Sequence, residues 1–162
     1  RDREHEPLDL REALDTALTN LEISIEESDA EVVVEPLPRV MGDPGQLAQL
    51  FQNLVGNAIK YSEDTPRVEI RAEDDGDHWA VSVADQGMGI PEERRERVFD
   101  IFSHSEEAGG SGIGLAICEK IVDRHGGDIR VESEVGEGST FTFTFPKLGE
   151  QRSEPPGTVE ST

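Results

Sequence analysis

Residues 139 to 145, Ser-Thr-Phe-Thr-Phe-Thr-Phe, alternate apolar and polar side chains without a break. A period of two belongs to a strand, whose side chains point by turns to opposite faces. This segment must therefore be a strand with Phe141, Phe143 and Phe145 on one face and threonines on the other. Ser139 has the parity of the phenylalanines and points inward, whereas Thr140 points out. A sheet that is apolar on one face needs a second layer to cover it.

The covering layer is legible too. Leu10, Leu14, Ala17, Leu18, Leu21 and Ile25 recur at helical spacing, with no Gly or Pro between Leu8 and Glu35, which predicts one amphipathic helix over 9–28. Asp43 can cap a second helix that has Pro44 in its first turn. Leu47, Leu50, Phe51, Leu54, Val55, Ala58 and Ile59 carry it to position 61. A third helix spans 113–125 and stops at Gly126-Gly127. Strands are predicted at 32–34, closed by Pro36 and Pro38, and at 67–73, 78–84, 128–133 and 139–145, with an Asp75-Gly76 turn between 67–73 and 78–84. A loop at Gly87-Met88-Gly89 precedes a short helix after Pro91, and 103–111 is a polar, glycine-bearing loop. The fold class is α+β: a two-layer sandwich with helices on one face of a mostly antiparallel sheet. Residues 1–8 read as the remnant of an upstream linker and 9–146 as the domain. Positions 147–162, rich in Glu, Ser, Pro and Gly, read as a disordered acidic tail.

The chain has 162 residues, enough for one domain with a real core. It holds 36 Asp and Glu against 15 Lys and Arg, a formal charge of −21, which repels nucleic-acid phosphates and argues against DNA or RNA as a partner. The acids run from Asp2 to Glu160 rather than sitting in one tail. That spread points to a protein of a salt-rich cytoplasm, where screening removes the self-repulsion. No run of apolar residues is long enough to span a membrane, and the N-terminus has no signal-peptide pattern. A single cysteine, Cys118, excludes an internal disulfide framework and a cysteine-rich zinc site, and reads as a small core residue. These features place the segment in the cytoplasm, with no membrane insertion of its own.

Three constellations carry chemistry. Asn53 and Asn57 are four apart on the second helix, with Lys60 and Tyr61 following on the same side. A neutral amide oxygen suits a magnesium ion already held by phosphate oxygens, and a lysine pairs with phosphate as a point charge. Asp85, at the inner end of a strand with the parity of Trp79, Val81 and Val83, needs hydrogen-bond donors. An adenine amine is one, and Gly87 and Gly89 let the backbone pass close to a flat ring. Gly109-Gly110-Ser111-Gly112-Ile113-Gly114-Leu115 opens a helix, whose free N–H groups suit a triphosphate. It is neither a P-loop, lacking Gly-Lys-Ser/Thr, nor a dinucleotide turn, lacking a preceding strand.

In this order and spacing, the sequence resembles the ATP-binding domain of sensor histidine kinases, within the gyrase, heat-shock chaperone, histidine kinase and mismatch-repair ATPase superfamily. The likeness runs from about Asp9 to Pro146 and includes Asp43-Pro44, Phe99-Asp100-Ile101-Phe102 and Gly136-Glu137-Gly138-Ser139-Thr140-Phe141. It implies ATP bound between the layers with Mg2+. Asn57 matches the magnesium ligand, Asn53 the other asparagine of that box, and Lys60 the phosphate-contacting lysine; Tyr61 lies by the nucleotide. Asn53 and Lys60 are the residues it assigns to catalysis. Asp85 matches the adenine-recognising aspartate, with Gly87, Gly89 and Ile90 lining the base pocket. Gly112, Ile113, Gly114 and Leu115 match the glycine box over the phosphates, and Ser139 matches the residue that joins the aspartate's water network.

The superfamily's ATPases and serine-phosphorylating kinases carry a glutamate base four residues before the metal asparagine. Here that place holds Asn53, which cannot take a proton, and transfer to a neutral imidazole does not need one. The resemblance thus implies a histidine kinase whose phosphoacceptor lies on a dimerisation domain upstream or in trans, with a response regulator as further partner and a full-length protein either membrane-anchored or soluble. The alternative is a regulatory module that binds nucleotide without transferring phosphate. His5, directly before the first helix, reads as no acceptor. His125 reads as a partner for a helix dipole, His104 as a solvated loop residue and Trp79 as strand packing.

Overall fold

The computed structural model describes residues 5–60, 65–85, 111–134 and 138–149. The chain enters through β1 (Glu6–Asp9), and Asp9 caps α1 (Leu10–Asn20) by accepting the N–H of Arg11. The helix expected over 9–28 is in fact two. It breaks at Leu21, and α2 (Glu22–Ser28) continues with no buried residue. Thr16 and Thr19 bond back to the carbonyls of Glu12 and Asp15, a habit that bends helices, and the Asn20 side-chain amide is anchored to the distant Gln52.

After β2 (Glu31–Val34), a strand that the sequence did not announce, β3 (Arg39–Gly42), pairs antiparallel with β1. Four residues with only Val40 and Gly42 buried are too few to show a period. Residues 6–8 therefore belong to a folded strand and not to a bare linker. α3 (Pro44–Lys60) follows, then β4 (Arg67–Asp75), β5 (His78–Asp85), α4 (Ser111–Arg124), β6 (Ile129–Glu134) and β7 (Gly138–Pro146).

The main sheet has the order β2-β4-β5-β7-β6, with β2 parallel to β4 and every other pairing antiparallel. Ile70 lies opposite Val83, and Val83 opposite Phe141, so the apolar positions of neighbouring strands share one face. Onto it α3 packs, flanked by α1 and α4. Phe51 of α3 meets Phe143 edge-on, at 5.8 Å between ring centroids. The core of Leu14, Leu47, Leu50, Phe51, Val55, Ile70, Val81 and Phe143 is closed to solvent. The α+β sandwich stands as expected.

Two joints pin the far end of the sheet. Gly127 is pressed so close to β7 that a Cβ there would lie 1.7 Å from the Thr144 carbonyl oxygen, so no other residue fits without moving the strand. Thr144 in turn donates its backbone N–H to the Asp128 carbonyl and accepts the Asp128 N–H on its hydroxyl. Lys147, expected to begin a disordered tail, is instead buried. Its N–H reaches the Asp77 carbonyl, its ammonium bonds Asp74 at 2.7 Å, and it lies over Trp79. The fold thus extends past position 146. Positions 150–162 of the expected tail, the loop at 87–89, the helix after Pro91, the motif at 99–102 and His104 lie outside the described residues.

Candidate nucleotide site

Asp43 caps α3 as expected, its Oδ1 accepting the N–H groups of Gly45 at 2.9 Å and Gln46 at 3.2 Å. The buried seam of α3 runs through Leu47, Leu50, Leu54 and Ala58. Asn53 and Asn57 lie beside that seam, one turn apart and half-buried, and Lys60 is exposed in the last turn.

α3 and α4 run antiparallel. Asp43 meets His125 and Asn53 meets Cys118, so the second half of α3 lies alongside the first half of α4. The glycine box expected to open a helix does so. Gly112, Ile113, Gly114 and Leu115 sit in the first turns of α4, which begins at Ser111, two residues earlier than the periodicity suggested. In the first turn of a helix the N–H groups have no acceptor within the helix and the dipole is positive. The asparagines and these amides are thus held on adjoining stretches of two packed helices.

Cys118 is fully buried, as expected. Burial pushes its thiol up to about 12, with a hydrogen bond from Asn53 acting weakly the other way. This contact was not foreseen: Asn53 does more than solvate α3, because it ties α3 to α4.

Asp85 ends β5 on the inner face, and its Oδ1 accepts the backbone N–H of Ser139 at 3.3 Å. Strand parity had put both residues inward, and the register confirms it, with Ala84 opposite Thr140 and the two residues one step further along. Ser139 is buried and Asp85 half-buried, so a carboxylate stands at the rim of the core with α3 packed across β5. Tyr61, Gly87, Gly89 and Ile90 lie outside the described residues.

His125 differs from expectation. It does bond the last turn of α4, with Nδ1 at 2.7 Å from the Ile121 carbonyl, but as a buried neutral ring and not as a cation on the dipole. Its Nε2 accepts the N–H of Asp43 at 3.1 Å, which a protonated Nε2 cannot do. His5 stacks on it at 4.4 Å.

The donor set suits a metal brought in by a ligand. Among the described residues no group of three or more His, Cys, Asp or Glu is arranged to hold an ion by itself. Neutral amides beside a turn of free N–H groups match a magnesium already bound to phosphates, which keeps most of its ligands from phosphate and water. Among the described residues no helix is long and apolar enough to cross a membrane.

Residues 42–149 match the family described as histidine kinase-, DNA gyrase B-, and HSP90-like ATPase. The chain is 48% identical over 148 residues to cyanobacterial phytochrome A of Nostoc sp., an alignment covering 89% of this chain and 19% of that protein. It spans about a fifth of the length of that protein and of phytochrome-like protein Cph1 of Synechocystis sp.. The catalytic domain of histidine kinase ThkA superposes with a TM-score of 0.79 at 32% identity, covering 93% of this chain and 100% of that one. Full-length ShkA, solved in complex with AMPPNP, gives a TM-score of 0.77 at 31% identity, covering 90% of this chain and 32% of that one.

Proposed function

The chain belongs to the histidine kinase-, DNA gyrase B- and HSP90-like ATPase family and has the fold of a histidine kinase catalytic domain, and from this we propose that it binds Mg-ATP and passes the γ-phosphoryl group to a histidine on a separate dimerisation domain. The observation that carries the reading is the Asp85 carboxylate at the inner end of β5, held by the Ser139 amide and facing the layer that contains Asn53, Asn57 and Lys60.

Each residue has a task in this reading. Asp85 accepts the adenine amine, with Ser139 keeping the carboxylate aimed. Gly87, Gly89 and Ile90 line the base and Tyr61 lies beside the nucleotide. The amides of Gly112 to Leu115 meet the phosphates. Asn57 would hold magnesium, which supplies charge neutralisation on the triphosphate, and Asn53 orients the same region. Lys60 offers a point charge to the phosphoryl group in flight. With an amide at position 53 the chain has no carboxylate base there. A neutral imidazole nitrogen attacks without one, the new P–N bond forms as the β–γ bridge breaks, and ADP leaves.

The acceptor domain lies upstream or in trans, and a response regulator takes the phosphoryl group onward. ShkA was solved in complex with AMPPNP, and ThkA in complex with the response regulator protein TrrA, which supports nucleotide binding and a regulator as partner by likeness. We place the domain in the cytoplasm and read its charge of −21 as adaptation to a salt-rich one.

The test is transfer of label from γ-labelled ATP to an added histidine-bearing helical hairpin taken from a related kinase. Phosphohistidine on the hairpin, absent with Asn57→Ala, supports the kinase. Tight Mg-ATP binding with no transfer to any hairpin, including the one native to the full-length protein, would leave a regulatory nucleotide module instead.

A further inference from the structure

We propose that His125 is a positioning residue for the nucleotide site: a buried neutral imidazole that fixes where α3 starts relative to the end of α4, and through α3 the placement of Asn53, Asn57 and Lys60. The inference rests on the reading of those residues as the magnesium and phosphate contacts.

The hydrogen bonds allow the ring only one state. The Asp43 N–H, 3.1 Å from Nε2, is a donor only, and the Ile121 carbonyl, 2.7 Å from Nδ1, is an acceptor only. The proton must therefore sit on Nδ1, with Nε2 bare. Through these two bonds the ring joins the last turn of α4 to the residue that caps α3, across 82 positions of sequence.

The surroundings are shaped to hold the ring. A Cβ at Gly42 would lie 3.0 Å from both Cδ2 and Nε2 of the imidazole and 2.6 Å from a Leu47 methyl, so glycine clears the approach. Gly126 takes a φ of 81°, which turns the chain off α4 immediately after the histidine, and Gly127 seats it against β7. His5 lies face to face on the ring, 18° from parallel, and Phe145 meets it edge-on at 6.0 Å. One side chain thus touches the residue before β1, the cap of α3, the end of α4 and β7.

The leverage comes from helix length. Asn57 is 14 residues beyond Asp43, which at about 1.5 Å per residue is roughly 21 Å along a stiff rod. A tilt of about 3° at the cap moves Asn57 by about 1 Å, enough to misplace a contact on phosphate. Because α4 runs antiparallel, the same joint also sets how its glycine-bearing first turn faces α3.

The experiment is Mg-ATP affinity by calorimetry for the parent, His125→Leu, His125→Asn and His125→Gln, at a temperature where circular dichroism shows each fully folded. His125→Leu should bind about tenfold more weakly. His125→Gln, whose side-chain carbonyl can take the place of Nε2 and accept the Asp43 N–H, should recover most of the loss. His125→Asn, which can replace only the Nδ1 donor, should not. If the leucine variant does not fold, the glutamine and asparagine variants decide, and equal affinity between them overturns the proposal. A parent that binds Mg-ATP together with folded variants that bind just as tightly overturns the His125 role alone. A parent that does not bind at all overturns the reading of the site and this proposal with it.

Discussion

The Asp85 carboxylate accepts the backbone N–H of Ser139 at 3.3 Å, so the last residue of β5 on the inner face is aimed by its neighbour on β7. A main-chain donor cannot swing away as a hydroxyl can, so the carboxylate keeps its direction. In the proposed site it accepts an adenine amine, whereas guanine presents a carbonyl and sets two acceptors face to face. An unmatched buried polar group costs about 1–3 kcal/mol, so Mg-ATP should bind at least about tenfold more tightly than Mg-GTP. Asp85→Asn should weaken ATP binding while leaving the circular dichroism spectrum of the domain unchanged. Equal calorimetric affinity for the two nucleotides would remove the adenine assignment.

Cys118 should be nearly inert in the folded protein. Its thiol is pushed from 9.0 up to about 12 by burial, and only the thiolate reacts. At pH 8 the folded thiolate fraction is then about a thousandfold below that of the unfolded chain. Alkylation with iodoacetamide should be slow under native conditions and fast in denaturant. Rapid native labelling would mean that the contact between α3 and α4 opens more readily than its packing suggests.

How the sequence foreshadowed these contacts depends on the length over which each signal accumulates. The helix at Pro44–Lys60 and the strand ending at Phe145 carry many periodic positions, and both were legible from hydrophobic pattern and cap chemistry. The parity that turned Asp85 and Ser139 inward followed from the same pattern. The break at Leu21 was hidden because its cause lies partly in another helix, in the Asn20 bond to Gln52. β1 and β3 were hidden because each has four residues and gains its shape from the other. Lys147 looked like the first residue of a polar tail, and only the folded chain shows that its ammonium has Asp74 and Trp79 to lie against. The Asn53 contact with Cys118 and the His125 contact with Asp43 are long-range side-chain bonds, for which one sequence offers no periodic sign.

The Lys147 joint has a pH signature. The Asp74 carboxyl is held below its ordinary 3.8, chiefly by the hydrogen bond from Lys147, against a small burial effect. A group whose folded pKa is depressed adds stability above the unfolded value and loses it as pH falls through the folded one. Asp74→Asn should therefore melt below the parent at pH 7, and the gap should close only as the pH drops under about 4. A gap that stays constant down to pH 3 would show that Asp74 acts through the turn at Gly76, not through its charge on Lys147. Lys147→Met, which gives up the ammonium over the Trp79 ring but leaves no buried charge without its carboxylate, should cost less than Asp74→Asn at neutral pH.

Salt should stabilise the domain well beyond ordinary ionic strength. Apart from Lys147 with Asp74, the ion pairs seen among the described residues lie at the surface: Arg11 with Asp15, Arg67 with Glu31 and Glu69, and Arg71 with Glu69. Exposed pairs of this kind gain little over the separated, hydrated charges and are screened by salt, so they offset little. With 15 cations against 36 anions, repulsion between carboxylates within about ten ångströms of one another should outweigh attraction to cations. At about 0.1 M salt the Debye length is about 10 Å and these pairs repel; at about 1 M it is about 3 Å and most of the repulsion is screened. Potassium chloride should therefore raise the melting temperature steadily across that range. In the proposed site ATP adds further negative charge, so its affinity should improve with salt as well, until competition for magnesium intervenes. Sodium sulfate stabilises most proteins by exclusion from their surface, so the informative comparison is with potassium chloride, which acts here through screening. Replacing a dozen exposed acids by glutamine should remove most of the potassium chloride effect. A melting temperature that stays flat between roughly 0.1 and 2 M potassium chloride would leave the salt-adapted reading without support.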